Sequence, residues 1–121
     1  NIGMRKKKLA AFLGMVSIIT ILTSCKKLDL AVDVPDCLEK KIGQIRDEPV
    51  RNPPAEVWQW KADGKTYYYI TSDCCDQYNY LYDDGCNQIC APDGGISGLG
   101  DGNCPDFSGS VEKVLVWKDK R

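Results

Sequence analysis

The chain contains no histidine, and this absence removes several classes of enzyme from consideration. Serine and cysteine nucleophiles are usually activated by a neighbouring imidazole, and histidine is also the commonest general acid or base. Paired carboxylates could do such work, but Asp83 and Asp84 directly precede Gly85, and aspartate in such a sequence usually serves turn geometry. We therefore predict that the protein is not an enzyme, and a hydrolase is the last hypothesis we would entertain.

Positive charge is missing from the middle of the chain. Residues 66–112 contain eight acidic side chains and neither Lys nor Arg. Such a segment repels the phosphate backbone, because nucleic-acid affinity rests mainly on Lys and Arg contacts to phosphates. The sequence therefore predicts no nucleic-acid partner.

The chain has one long apolar run, and it lies near the start. Four basic residues at 5–8 precede an uncharged, mostly apolar stretch over 9–22, which is shorter than the roughly 20 residues that span a bilayer. This order of segments is typical of a signal peptide. The stretch ends in Leu-Thr-Ser followed by Cys25, which resembles the lipobox of bacterial lipoproteins.

The lipobox resemblance implies that residues 1–24 are removed and that Cys25 carries the lipid that holds the protein on a membrane. The alternative is an ordinary secretory signal whose cleavage site happens to precede a cysteine. Residues 25–35 then form a lipidated tether, and residues 36–121 form a single small disulfide-rich domain. Several acyl chains together anchor a protein stably, whereas one binds only marginally.

Six further cysteines follow Cys25. An even number in a short exported chain predicts disulfides, here three, and a zinc site is the weaker alternative because neither histidine nor a Cys-x-x-Cys pair is present. Adjacent cysteines favour bonds to two different partners, and we expect Cys37 to reach one of that adjacent pair. The six are Cys37, Cys74, Cys75, Cys86, Cys90 and Cys104.

The pattern of apolar residues and turns predicts an α+β fold. A helix should begin at Asp36, with Glu39 completing a capping box, and end before Pro49. Runs of aromatic and β-branched residues then predict strands, separated by Gly- and Asp-containing turns. We expect one N-terminal helix packed on an antiparallel sheet of four or five strands, stabilised by disulfides. The predicted strands are 57–61, 66–71, 78–82, 87–90 and 111–117, with a long loop over 91–109.

Aromatic side chains recur at every second position of these strands, so each set shares one face of the sheet. One row should cover the core against the helix, and a second row, if exposed, would form a stacking platform for a sugar or a protein. The alternative is that all of them serve cross-strand packing. The candidate binding residues are Trp58, Trp60, Tyr78, Tyr80 and Tyr82.

A glycine-rich segment offers oxygen ligands at short intervals. Asp101, Asn103 and Asp106 supply the hard ligands that calcium prefers, although the spacing does not match an EF-hand. The alternative is a structural loop, in which glycines adopt positive φ, aspartates cap turns and Cys104 fixes the segment. The sequence leaves both hypotheses open, a calcium site on these three residues and a purely structural loop.

Several motifs of the chain resemble small lipoproteins of Bacteroidota that carry an uncharacterised cysteine-rich domain. The most specific are the double cysteine at 74–75 and the Gly-Asp-Gly-Asn-Cys-Pro-Asp segment at 100–106. The resemblance extends from Cys37 to Phe107 and implies no activity. In that phylum, surface lipoproteins often carry acidic residues after the lipidated cysteine, whereas here two lysines and a leucine follow. This departure favours an outer-membrane anchor facing the periplasm and leaves surface exposure as the alternative.

The functional expectation is a non-catalytic lipoprotein of the cell envelope that acts as a binding or accessory module for a protein or a glycan. Two alternatives remain open from the sequence. One is a structural domain stabilised by calcium, and the other is a small inhibitor of an exported enzyme that uses the loop 91–109.

Overall fold

A computed structural model describes Gly14 and residues 28–121 of the chain. One helix is followed by five strands, which confirms the predicted α+β fold. Within the described residues, no helix has the length and apolar character needed to cross a membrane. The elements are α1 Asp36–Asp47, β1 Glu56–Ala62, β2 Lys65–Ile70, β3 Tyr78–Asp83, β4 Gln88–Gly94 and β5 Glu112–Lys118.

The five strands form one antiparallel sheet in the order β4-β3-β2-β1-β5. Strands β1 to β4 follow one another as a meander, and β5 then returns to pair with β1 at the far edge. The first hairpin turns through Asp63 and Gly64, both at positive φ, which is the conformation that a two-residue antiparallel turn requires. The predicted hairpin between β1 and β2 is thereby confirmed.

Helix α1 packs on one face of the sheet through three apolar side chains at helical spacing. Leu38, Ile42 and Ile45 are buried, and the first two pack with Val57 and Tyr68 of the sheet. Burial of side chains of this size contributes about 1.5–3 kcal/mol each relative to exposure. The segment before the helix adds further apolar cover on the same side.

The predicted capping box at the start of α1 is wrong. Pro35 occupies the N-cap position, Asp36 is already helical, and no side-chain hydrogen bond caps the helix. The reason is that Pro35, with its fixed φ of −59°, supplies the turn into the helix and its carbonyl accepts the backbone N–H groups of Leu38 and Glu39. Asp36 and Glu39 still place negative charge in the first turn, where the helix dipole favours it.

The opposite face of the sheet is covered by the loop between β4 and β5. Trp60, Tyr67 and Leu81 are buried there, and Phe107 of the loop packs on Trp60 and Tyr67 with its ring edge. The loop therefore supplies on this face what α1 supplies on the other. We call the two sides the helix face and the loop face.

Strand β4 is longer than predicted, because pairing with β3 continues to Gly94. Residues 91–109 were predicted as a loop because they contain six glycines, two prolines and three aspartates. Strand β4 is an edge strand, where a proline costs no sheet hydrogen bond on its outer side. This difference lengthens the sheet next to β3.

The predicted involvement of six cysteines in three disulfides is matched by three pairs at bonding distance, but the expected pairing is wrong. Cys74 and Cys75 bond to each other in the exposed turn between β2 and β3, because the other four cysteines pair among themselves. Cys37 bonds to Cys86 instead, because the first turn of α1 lies beside the turn between β3 and β4. The remaining pair, Cys90 and Cys104, fixes the loop to β4 on the loop face.

Candidate functional site

Three tyrosines of β3 form the floor of an open groove on the helix face. Tyr78, Tyr80 and Tyr82 alternate along the strand, so their rings project from the same side of the sheet. Tyr78 is 39% exposed and the other two are half-buried. The rings of Tyr78 and Tyr80 meet edge to face, with centroids 6.0 Å apart. We call this depression, with a volume of about 270 Å³, the tyrosine groove.

The rim of the tyrosine groove comes from three separate segments. Helix α1 contributes Lys41, Gln44 and Glu48, and the connector after the helix contributes Arg51. The loop between β2 and β3 closes the remaining side. The groove is therefore an aromatic floor surrounded by polar side chains, a composition typical of ligand sites.

Arg51 connects three groups of the rim through its guanidinium. Its Nη1 donates to the Thr71 carbonyl at 2.9 Å, and its Nη2 lies 3.4 Å from a Glu48 carboxylate oxygen. Its Nε lies 3.8 Å from Asp73 Oδ1, beyond hydrogen-bond distance. Among the described residues, this Nε is the buried side-chain polar atom without a hydrogen-bond partner. Because the Nε is buried, a ligand in the open groove does not reach it, and the guanidinium acts by joining Thr71, Glu48 and Asp73 of the rim.

Tyr82 lies at the other end of the groove, under helix α1. The Lys41 ammonium stands 4.6 Å from the centroid of its ring, at cation–π distance. Burial, and to a lesser degree the neighbouring Tyr80, raise the pKa of the Tyr82 hydroxyl. The hydroxyl therefore stays protonated at neutral pH and is not suited to act as a base.

The back of β3 is fixed by a polar network on the loop face. The Tyr69 hydroxyl donates to Asp93 Oδ1 at 2.8 Å, and Asn79 Nδ2 donates to the same oxygen at 2.7 Å. The Asn79 amide oxygen accepts the Ser72 backbone N–H at 2.7 Å. Burial, reinforced by Asp93, raises the pKa of Tyr69 far above its usual range. This network holds the strand and the β2–β3 loop that border the groove.

The tryptophan row predicted as a second candidate surface lies on the loop face and is largely packed. Trp60 is buried, stacks on Tyr69 at a centroid distance of 5.3 Å, and has the Lys113 ammonium 4.2 Å above its ring. Trp58 is half-buried, and its indole N–H donates to Glu56. The tyrosine row is therefore the better stacking surface of the two.

The residues predicted to bind calcium lie in the glycine-rich loop. Asp101 Oδ1 accepts the Asn103 backbone N–H at 2.9 Å, and hydrogen bonds of this kind, chiefly from Asn103, lower the pKa of Asp101. Asp106 is exposed. Within residues 28–121 and Gly14, no cluster of three or more cysteine, aspartate or glutamate side chains has the geometry to hold a metal ion. The calcium site stays a prediction.

Three further features were singled out from the sequence: the lipidation site, the turn at Asp83 and the adjacent cysteines. Cys25, the predicted lipidation site, lies outside the described residues. The turn with Asp83 is confirmed, since its carboxylate accepts the backbone N–H groups of Gly85 and Asn87, and hydrogen bonds from Asn87 lower its pKa. The Cys74–Cys75 pair follows Asp73 directly and so lies next to the rim of the groove.

The polar rim residues, among them Lys41 and Arg51, were not identified from the sequence. Lys41 lies beside the apolar face of α1, and Arg51 lies in a proline-rich connector that carries no recognisable pattern. Their approach to the tyrosines depends on how α1 crosses the sheet, which the sequence alone does not specify. A polar residue at the margin of an apolar helix face was the one available signal, and it pointed to Lys41.

A comparison with protein families extends over most of the described chain. Residues 43–119 match the family described as a domain of unknown function, DUF6970. The match begins within α1 and includes all five strands, hence the tyrosine row and most of the rim. No curated protein and no solved structure matches the chain. Because the matched segment is more than half of the sequence, the chain belongs to the DUF6970 family of domains of unknown function.

Proposed function

We propose that this domain is a non-catalytic binding module that holds an uncharged saccharide in the tyrosine groove. The observation that carries the proposal is the row formed by Tyr78, Tyr80 and Tyr82, which are partly exposed side by side within a rimmed depression. A row of three rings extends along about two repeats of a strand, or roughly 13 Å at about 3.3 Å per residue. That length fits more than one sugar unit of a linear glycan.

The chemistry of the floor suits a sugar ring. The face of a tyrosine ring carries negative potential, and the axial C–H bonds on one side of a pyranose present weak positive potential to it. Tyr78 and Tyr80 meet edge to face, so their ring planes differ by 61°. A ligand whose successive units differ strongly in orientation, as the units of an oligosaccharide can, matches this arrangement better than one flat aromatic molecule.

The charge of the rim favours an uncharged ligand. The groove is lined by two basic residues, Lys41 and Arg51, and two acidic residues, Glu48 and Asp73. The formal charges of its lining therefore sum to zero. Planar amide, carboxylate and guanidinium groups can each accept from or donate to pairs of neighbouring hydroxyls. A strongly anionic glycan would instead require an excess of basic residues, which residues 66–112 do not contain.

The test is a binding assay of the full chain, purified in detergent, against an array of neutral, uronic-acid-containing and sulfated oligosaccharides. We expect binding to neutral linear oligosaccharides. Tyr78→Ala and Tyr80→Ala should each weaken it about tenfold, which corresponds to about 1.4 kcal/mol. Ile96→Ala serves as the matched control, because Ile96 is 95% exposed and lies outside the groove.

Three outcomes would contradict the proposal. Binding confined to acidic glycans would show that the balanced rim charge does not select the ligand. Equal loss of binding in Ile96→Ala would place the ligand elsewhere. Binding of a proline-rich peptide by the same tyrosines, with no glycan bound, would assign the groove to the recognition of extended peptides, for which aromatic rows are also suited.

We further propose that the protein is a lipoprotein of the cell envelope, held on the outer membrane by a lipid on Cys25 and facing the periplasm. The basic residues at 5–8, the apolar stretch at 9–22 and the small residues before Cys25 support this proposal. Disulfide-distance cysteine pairs in a small domain also fit an oxidising compartment. The family match does not extend to this part of the chain.

The lipid anchor is tested by metabolic labelling with palmitate and by fractionation of the envelope. We expect the label and the membrane association in the unaltered chain and the loss of both in Cys25→Ser. Lys26→Ser serves as the control, because it alters the residue next to the anchor and leaves the cysteine. Unchanged membrane association in Cys25→Ser would reject the anchor, and accessibility to added protease in intact cells would place the domain on the outer surface.

A further inference from the structure

The glycine-rich loop presents two aliphatic side chains to solvent at one edge of the sheet. Ile96 is 95% exposed and Leu99 is 81% exposed. Isolated exposed apolar residues are common, but these two belong to one short turn, in which the Gly98 N–H donates to the Gly95 carbonyl. We call this pair the loop tip.

The loop tip is held firmly against edge strand β4. The Asp101 N–H donates to the Ala91 carbonyl at 3.0 Å and the Gly100 N–H to the Gly94 carbonyl at 3.1 Å. A β-carbon on Gly100 would stand 2.1 Å from the Ala91 carbonyl oxygen, so the loop approaches the strand as closely as its backbone allows. Exposed apolar groups on a fixed backbone cost little conformational entropy when a partner covers them.

A pocket of about 510 Å³ lies at the other edge of the sheet, beside β5. Its apolar wall includes Leu28, Leu115 and Trp117, and its basic wall includes Lys118, Lys120 and Arg121. For scale, a cavity of about 150 Å³ accommodates a benzene ring. We call this depression the edge pocket.

The loop tip and the edge pocket share apolar surface, and the segments around them are opposite in charge. The loop from 93 to 106 contains three aspartates and no basic residue, whereas four basic and two acidic residues line the pocket. Lys118 also pairs with Glu56 at 3.3 Å and Arg121 with Asp119 at 2.8 Å, so the positive excess of the pocket is modest. Apolar burial would supply most of the free energy of association, and the charges would favour this orientation of the two copies over others.

We propose that the edge pocket of one copy of this chain receives the loop tip of a second copy. The two surfaces lie on opposite edges of a five-stranded sheet, roughly 20 Å apart at about 4.8 Å between strands, so a molecule does not close the contact on itself. A contact between two different surfaces is heterologous and joins copies head to tail. The small area of a two-residue tip makes each contact weak, so the association depends on the local density of the protein.

The proposal is tested in the full chain with a photo-reactive amino acid, p-benzoylphenylalanine, placed at position 99. We expect irradiation to produce a species of twice the chain mass, with the cross-link on the segment 115–121 of the second copy. The same probe at position 50 is the control, because Val50 is also exposed, at 46%, but lies outside both surfaces. A cross-link to a different protein, to lipid or to the same copy would overturn the proposal.

Two one-sided variants separate docking from loss of folding. The double variant Ile96→Asp with Leu99→Asp disables the tip, and Ala31→Trp fills the pocket, which Ala31 lines. Each variant alone should lose association with differently tagged copies of itself, while a mixture of the two should retain it, because one supplies the pocket and the other the tip. Loss of association in the mixture, with both variants folded by circular dichroism, would contradict the proposal.

Discussion

The helix face and the loop face use the same kinds of side chain with different results. On the loop face, Trp60 and Tyr67 are buried under a loop that a disulfide fixes to β4. On the helix face, α1 covers Val57 and Tyr68 but leaves the tyrosines of β3 partly open. A helix of 12 residues is about 18 Å long and about 10 Å wide, so it cannot cover a five-stranded sheet.

The difference indicates where a small domain of this architecture has room for a ligand. Loop residues can follow the surface of a sheet closely, and Gly100, at positive φ and against the β4 backbone at Ala91, lets this loop do so. A helix is straight and leaves a depression along its side. The tyrosine groove is that depression, and its aromatic floor is what the helix leaves uncovered.

Removal of the disulfide that attaches α1 should have the largest effect on stability. Cys37 and Cys86 are 49 positions apart, and restriction of a loop of that length in the unfolded chain contributes about 4 kcal/mol. We expect the double variant Cys37→Ser with Cys86→Ser to lose about this much free energy of unfolding, measured with a chemical denaturant. In this variant we expect α1 to detach before the sheet unfolds, so the groove should lose its ligand at denaturant concentrations below those of global unfolding.

The matched control is Cys74→Ser with Cys75→Ser. These two residues are adjacent, so their bond restricts almost no loop of the unfolded chain, and the entropic account predicts a small change. Equal destabilisation by both double variants would contradict this account of how α1 is held.

The second prediction concerns the cover of the loop face. In Gly100→Ala, a β-carbon would stand 2.1 Å from the Ala91 carbonyl oxygen at a φ of +77°, so both strain and overlap oppose it. We expect a loss of about 3 kcal/mol. Gly98→Ala is the control, because its φ of +74° is similar but nothing lies within 4 Å, and it should cost about 1 kcal/mol. Similar losses in the two variants, measured by thermal unfolding, would show that the close approach to β4 does not matter.

Much of the fold could be predicted from the sequence, because local signals agreed with it. The period of Leu38, Ile42 and Ile45 located α1, and the Asp-Gly turn between aromatic runs located the first hairpin. The end of β4 could not be located, because Pro92 and Gly94 are turn formers that an edge strand also tolerates. The cysteine pairing was missed because contacts such as that between α1 and the β3–β4 turn depend on tertiary packing.

For a related reason, the tyrosine row of the candidate site could be predicted from the sequence, whereas its rim could not. Alternation along β3 showed that Tyr78, Tyr80 and Tyr82 share a face, since a strand has a period of two. Which aromatic row would be covered could not be derived, because the sequence does not tell which face the helix takes. The contribution of Arg51 depends on a chain reversal after the helix and carries no local pattern.

The smallest expected effect tests the second attachment of α1, at its carboxyl end. Arg121 Nη1 donates to the Arg46 carbonyl at 2.6 Å, and the guanidinium is held by the carboxylate of buried Asp119. Hydrogen bonds from Arg121 lower the pKa of Asp119 below 3.8, so its contribution to stability is complete above pH 3.8 and is lost as the pH falls through the lowered pKa. Other carboxylates titrate in the same range, so the informative quantity is the difference between the unaltered chain and Asp119→Asn.

We expect the unfolding midpoint of Asp119→Asn to lie a few degrees below that of the unaltered chain at pH 7, and the gap to narrow on acidification below pH 3.8. Asp101→Asn is the control, because the pKa of Asp101 is also lowered but its carboxylate accepts the Asn103 backbone N–H within the loop, away from α1. Of the two variants, we expect Asp119→Asn alone to weaken ligand binding in the tyrosine groove. Its loss of charge frees Arg121, which holds the carboxyl end of α1. A gap that stayed constant down to low pH would mean that the carboxylate charge of Asp119 does not hold the helix.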